Sequence, residues 1–402
     1  MLTGMRRAHP VFSPLLQLII VAVTAHVALG AARVTTALYA LSLHASAFTV
    51  GALLALFAVV PMFLAVPMGR AIDRIGVRKP LMGGCVLAFA GTSLAALAPG
   101  LTVLYGAVIL IGTGFMAIFI SAQHGVGALA LPDQRAAGFS KLSLGFSVSA
   151  FTGPLIAGFL IDHSHYAVAY WVCGSFMVIA FLLAAGGALK HIPTQHIARP
   201  PNAGGPFVLL RDKAMRRIYI VGILLAAAWD LFTFVTPIRG SQLGFSASTI
   251  GMILATFSAA TFVVRLAMPQ IARRFHEWQV LSAALTAAAL CYVLMPFMVH
   301  PLAMAAMAAG LGLALGTGQP NVLALLHQVA PPGRGAEAIG IRATMGNASA
   351  VFLPLAFGAA GATIGLFAVF WGLGLLIACG VPLAAKTAWY DQKKPHLTNQ
   401  EP

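Results

Sequence analysis

This sequence predicts an all-α membrane protein of twelve transmembrane helices in two pseudo-symmetric six-helix bundles. Three observations carry that expectation. Hydrophobic residues make up 60% of the 402-residue chain and charged residues 8%, with a mean hydropathy of +0.91. That is more apolar surface than a water-soluble core can hide. Breaking the chain at charges, Pro and Gly leaves twelve apolar runs, each near the ~20 residues a spanning helix needs. Finally, the chain resembles itself at an offset of 200 residues.

The runs fall at about 14–41, 46–69, 80–98, 101–131, 137–161, 166–189, 216–238, 246–271, 278–299, 301–330, 336–362 and 364–386. Met5-Arg6-Arg7 ahead of the first run imitates a signal peptide. The apolar part is too long for one and lacks a small-residue cleavage site, so it reads as an uncleaved first helix. The longest connection, 190–215, carries Pro193, Pro200, Pro201 and Pro206 among Lys190, Arg199, Arg211 and Lys213. It reads as a linker. The expected organisation is an N-terminal bundle at 1–189, a cytoplasmic linker at 190–215, a C-terminal bundle at 216–388 and a cytoplasmic tail at 389–402.

Threading the runs with the N-terminus inside leaves nineteen Lys and Arg residues on the cytoplasmic side and only Arg239 outside. Lys and Arg are retained inside during insertion, so both termini are expected in the cytoplasm. The formal charge of +15 is accounted for in the same way. The basic residues sit in short loops between apolar runs rather than along one face, which argues against nucleic-acid binding. Adding 200 takes Met68 to Met268, Arg74 to Arg274, Gly112 to Gly312, Pro132 to Pro332, Pro154 to Pro354 and Gly158 to Gly358. A parallel repeat of this kind places a binding site at the interface of the two copies, near the midplane.

Cys85, Cys173, Cys291 and Cys379 are isolated within apolar runs and read as small apolar residues, with no disulfide and no metal site. No nucleophile motif, no phosphate-cradling Gly-Lys-Ser/Thr and only nine acidic residues are present. This argues against an enzyme or an ATP-driven pump, and no cofactor is implied.

The loop Gly69-Arg-Ala-Ile-Asp73-Arg74-Ile-Gly76-Val-Arg78-Lys79 lies between the second and third runs, with Gly69 and Gly76 suited to a tight reversal. Its spacing, Gly-x-x-x-Asp-Arg-x-Gly-x-Arg-Lys, resembles the loop between helices two and three of the major facilitator superfamily of secondary transporters. The resemblance extends from the first run to about residue 388. It implies that Asp73, with its neighbours Arg74 and Arg78, contacts helix ends at the cytoplasmic interface between the halves and favours the outward-facing state. Read from the residues alone, the loop is also a solvated basic turn. The second copy, Pro269-Gln-Ile-Ala-Arg273-Arg274-Phe-His276, lacks both glycines and the acid.

The fifth run reads Ser149-x-x-x-Gly153-Pro154-x-x-Ala157-Gly158. Gly153, Pro154 and Gly158 resemble the Gly-Pro motif of the superfamily's antiporter branch, whereas Ser149 and Ala157 stand where the pattern has Gly. Small residues at this spacing also serve plain close packing. The proton-linked drug exporters of the family carry an Arg in the fourth helix where this chain has Val108, so that branch's coupling mechanism is not carried over.

Ionisable residues within apolar runs are costly unless they face a cavity or a partner. Asp230 is the only carboxylate deep in a span, and under the repeat it corresponds to Gly30, one turn before Arg33. Arg33 and Asp230 therefore read as a pair at similar depth, either a gate or a fixed tie between the first and seventh spans. Arg265, Lys141 and Arg342 form a second, inner set whose positive field suits an anion, although snorkelling to the cytoplasmic surface also accounts for them. Glu337 lies near an end, where water reaches it. Gln123, His124, Gln319, Asn321 and Asn347 are uncharged candidates for the cavity wall. A lone His26 in the first run reads as a packing residue before it reads as a proton carrier.

The expected function is secondary transport by alternating access in the bacterial cytoplasmic membrane. The expected protein is a monomer that exports small organic compounds, anions among them, with protons as the coupling ion. An importer of organic anions such as monocarboxylates or metal-chelate ligands uses the same cations, and a non-transporting receptor of transporter-like fold is a third possibility.

Overall fold

The computed structural model describes residues 13–98, 100–129, 135–186, 189, 207–330 and 335–392. Among these residues the regular structure is helical throughout: α1 (Pro14–Ser42), α2 (Ala47–Ile75), α3 (Arg78–Leu97), α4 (Leu101–Leu129), α5 (Arg135–His163), α6 (Tyr166–Ala185), the short α7 (Phe207–Arg211), α8 (Lys213–Gln242), α9 (Ala247–Arg274), α10 (Glu277–Leu294), α11 (Pro301–Gly316), α12 (Gly318–Val329), α13 (Gly335–Thr363) and α14 (Leu366–Gln392). Twelve stretches are long and apolar enough to cross a membrane, with α11 and α12 together making one of them. Arg6, Arg7, linker residues 190–206 and tail residues 393–402 lie outside the described residues.

The helices run further than the apolar runs suggested. α2 continues to Ile75, so Gly69 is an interior helical residue and the reversal is made at Gly76 alone, with φ of 81°. α8 begins at Lys213 inside the expected linker, because Asp212 Oδ1 accepts the Met215 N–H at 2.8 Å and caps it. α14 extends to Gln392, past the expected start of the tail. Charged residues at helix ends stay helical because long side chains reach the interface while the backbone remains in register.

The 200-residue repeat is visible in the bounds. α2 and α9 start at Ala47 and Ala247, α5 and α13 end at His163 and Thr363, and α6 and α14 start at Tyr166 and Leu366. The local chemistry repeats as well. Ser46 and Ser246 each accept the N–H of a Thr three residues on, at 3.2 Å, and cap α2 and α9. The turn before each cap needs a left-handed residue, which is Gly244 (φ 72°) in one copy and His44 (φ 58°) in the other. Outside Gly that conformation costs about 1–2 kcal/mol. His44→Gly is therefore expected to raise the thermal midpoint in detergent, and an unchanged or lower midpoint would show that the turn is held by other contacts.

One span departs from the repeat. α4 is unbroken, but its mate is divided at Thr317 into α11 and α12. Pro320 has no N–H to offer the Gly316 carbonyl. The Thr317 side chain donates to the Ala314 carbonyl at 2.8 Å and the Asn321 amide donates to the Thr317 carbonyl at 2.7 Å, so the break is satisfied locally.

Helices α1–α6 pack mainly on one another, as do α8–α14; α5 against α9 and α2 against α13 are the extensive contacts that cross between the sets. At one end of the molecule, here termed the turn end, the chain reverses in short turns at 43–46, 164–165, 243–246, 298–300 and 364–365, beside the end of α3 and the start of α4. At the other end, the loop end, lie the turns at 76–77 and 275–276, the C-termini of α4, α6 and α12 and the N-termini of α5, α8 and α13.

Candidate functional site

A cavity of about 580 Å³ lies among α1, α2, α4, α8, α12 and α13. Its wall runs from Leu29, Arg33 and Leu54 at mid-bundle to Gln123, Tyr219, Gln319 and Arg342, which lie nearer the loop end of their helices. Phe57, Phe115 and Phe119 give it an aromatic side. A second chamber of about 180 Å³ continues towards the turn end, lined by His26, Arg33, Pro154, Trp229, Thr233, Phe257 and Ser258 among others. Arg33, Leu29 and Leu54 border both spaces, so the Arg33 side chain is part of the wall between them.

Arg33 has no hydrogen-bond acceptor among the described residues. Asp230 is half-buried on α8, and its Oδ2 accepts the Ser349 hydroxyl from α13 at 3.0 Å. No direct ion pair joins it to Arg33 among the described residues, and Asp230 is outside the lining of both spaces. A half-buried guanidinium in a cavity wall that lacks a protein acceptor is an attractive place for an anionic group of a ligand.

Of the other residues singled out in the sequence, Gln123, Gln319, Arg342 and Asn347 line the 580 Å³ cavity with Arg33. Arg265 instead reaches across from α9 and donates to Ser147 Oγ on α5 at 2.8 Å. Lys141 is exposed, and Asn321 is turned into the α11–α12 break. His124 is half-buried near the loop end of α4 and, like Lys141, is outside the lining of both spaces. The three inner cations thus do not converge, and Arg342 alone of them borders the cavity.

The gating candidates divide similarly. Arg78 donates from Nε to the Ala184 carbonyl at 3.1 Å and from Nη2 to the Ala185 carbonyl, holding the C-terminal end of α6. Those contacts stay within the first six helices. Arg74 is exposed, nothing lies within 4 Å of where a Gly69 Cβ would be, and the Asp73 side chain is outside the described residues. Gly153 faces α1, where a Cβ would come 2.9 Å from the Val27 carbonyl oxygen. Gly158 and the Pro154 carbonyl face α9, against Ala247 and Gly251. The Gly-Pro segment thus seats α5 on two helices at once, one in each set.

Several wall residues were not legible in advance. His26 is hydrogen-bonded to Ser149 Oγ at 2.6 Å and packs on Phe146 and Phe115 at ring distances of 4.8 and 5.5 Å. Ser149, the residue that breaks the family's Gly pattern, is thereby a partner for a ring in the wall of the smaller chamber. Its repeat mate is Ser349, the donor to Asp230. Each serine binds a titratable side chain on the first helix of its own copy, and the 200-residue offset between them was the available signal. Trp229, stacked edge-on to Phe257 at 4.6 Å beside Asp230, carried no such signal.

A bundle of apolar helices around a central cavity, with ionisable groups at its waist, is the architecture of a multi-pass membrane transporter. The family model for the Major Facilitator Superfamily matches residues 18–354 and again 218–402, and the chain belongs to that superfamily. It is similar to a class C tetracycline resistance protein of Escherichia coli, with 26% identity over 364 residues, 84% of this chain and 87% of the relative. It is also similar to the efflux pump azaK of Aspergillus niger, at 28% identity over 272 residues. That match covers 62% of this chain and spans only 56% of the length of azaK. Among solved structures, a POT family transporter in complex with a thioalcohol-conjugated peptide superposes with a TM-score of 0.78 at 14% identity, covering 94% of this chain and 96% of that one. That likeness concerns the fold.

Proposed function

We propose that the protein is a proton-linked exporter of small organic compounds, organic anions included, working by alternating access in a bacterial inner membrane with both termini cytoplasmic. The observation that carries this is the pair of cavities that share Arg33 in their walls, with a second ionisable side chain, Asp230, bonded to Ser349 where α8 meets α13. The likeness to the efflux pump azaK supports export over import. The nineteen-to-one distribution of Lys and Arg supports a cytoplasmic loop end.

In this reading the halves are 1–189 and 216–388, joined by 190–215. The second match of the family model begins 200 residues after the first, at 218 against 18, which supports the division. The cavity extends towards the loop end while α5–α9 and α2–α13 close the turn end, which corresponds to an inward-facing state. Arg33 and Asp230 act as the coupling pair, and Arg342, Gln123, Gln319 and Asn347 hold substrate on the cytoplasmic side. Asp73 and its neighbours engage when the loop end closes. Arg265 is a tie between α9 and α5.

The direct test is flux of candidate substrates by the purified protein in liposomes with an imposed pH gradient. Gradient-driven movement that collapses with a protonophore is expected. Saturable binding with no flux under any gradient would leave a receptor, and flux insensitive to the gradient would remove the proton from the cycle.

A further inference from the structure

We propose that Asp162 is a positioning residue of the transport cycle: its carboxylate clasps the N-terminus of α9, holds the turn end shut, and releases it when the cavity opens there. The proposal rests on the alternating-access reading above. Asp162 is the penultimate residue of α5, and it is exposed. Its Oδ1 accepts the Ala247 N–H at 2.9 Å and its Oδ2 accepts the Ser248 N–H at 2.7 Å. The first N–H groups of a helix have no partner within it. Here Ser246 Oγ takes the Thr249 N–H at 3.2 Å and the Ser246 carbonyl takes the Ile250 N–H at 3.0 Å. The two donors left over are the two that Asp162 binds.

The end of α9 is therefore fully satisfied only while α5 lies against it. An anion at that end also meets the favourable pole of the helix dipole. One turn below, Gly158 packs so closely that a Cβ would lie 2.9 Å from both the carbonyl carbon of Ala247 and the Ser248 Cα. The carboxylate is exposed, and parting of the helices would uncover the two N–H groups, so both sides of the contact then have water to turn to. That makes the contact a clasp rather than a permanent weld.

The second copy lacks it. α13 packs on the start of α2 in the same way, with a Gly358 Cβ position 2.9 Å from the Ala47 carbonyl oxygen and 3.0 Å from the Phe48 Cα. Ser46 caps Thr49 and accepts Val50 as its mate does. The residue in the place of Asp162 is Ala362. Of the two contacts that close the turn end, one is fastened by charge and the other by the packing of small residues. The fastened one governs opening.

The test uses the full chain in nanodiscs, with native cysteines replaced and spin labels at His165→Cys and Gln242→Cys to report the turn-end distance. Wild type is expected to hold a short-distance population. Asp162→Asn, which loses the charge and one acceptor, is expected to move the equilibrium about tenfold towards longer distances, the effect of losing one charge-assisted hydrogen bond at about 1.5 kcal/mol. Ala362→Asp places a carboxylate beside the Ala47 and Phe48 N–H groups, and is expected to restore the short distance in the Asp162→Asn background and to sharpen it in wild type. A simple capping role would lower the melting midpoint without moving the distances. Unchanged distances in Asp162→Asn, or in wild type carrying Ala362→Asp should the first variant not fold, would overturn the clasp. Because the distances are read without substrate, loss of the transport reading would show separately, as absent flux with the distance shift intact.

Discussion

Asp230→Asn is expected to abolish pH-gradient-driven transport while sparing substrate exchange. The side chain is nearly isosteric, and its Oδ1 can still accept the Ser349 hydroxyl, so the α8–α13 contact at 3.0 Å has a replacement. What is lost is the ability to exchange charge for neutrality beside Arg33. In a bilayer interior, the cost of an uncompensated ion is what ties proton binding to the arrangement of the helices. Uphill flux should fall to the level of empty liposomes, while counterflow, which needs only rocking with substrate on board, should stay within a fewfold of wild type. Uphill flux at the wild-type rate would take Asp230 out of the coupling step.

Arg33→Gln is the second large effect. Gln keeps hydrogen-bonding groups near the junction of the two chambers but removes the charge and the planar fork that pairs with carboxylates. Hydrogen bonds to charged groups contribute about 1.5–3 kcal/mol, so binding of an aryl or alkyl carboxylate should weaken roughly ten- to a hundredfold. The neutral amide of the same compound should lose little. Equal loss for acid and amide would mean that Arg33 shapes the cavity without reading charge. The double variant with Asp230→Asn adds a further check. If the two act as one unit, the pair of losses is strongly non-additive.

The fold was legible because its causes are local and repeated. Composition demanded lipid, twelve apolar runs counted the spans, and the 200-residue offset anticipated matching helix ends at Ala47 and Ala247 and at His163 and Thr363. Helix limits were cut short at Gly69 and Arg216 because the runs were broken at glycine and charge, whereas backbone hydrogen bonding continues through both. In the site, the costly cations were easy to name and hard to place. Arg33 and Arg342 border the cavity while Arg265 turns to Ser147, since a four-carbon reach gives no hint of direction from sequence spacing. Hydroxyls are common in helices and carry little signal in sequence; Ser149 and Ser349 matter only for what they face. Asp162 is one more acid at a helix end by sequence, and its partners lie 85 and 86 residues away.

The central claim is that the chamber beyond Arg33 is reached from one side of the membrane at a time. A single cysteine at Val34, in the wall of that chamber, in a background with the four native cysteines replaced, reads this directly with a membrane-impermeant thiol reagent applied to oriented vesicles. Labelling is expected from the cytoplasmic side at rest, and from the opposite side once a proton gradient and substrate drive the cycle. Labelling from both sides at once, or from the cytoplasmic side alone under every condition, would contradict it.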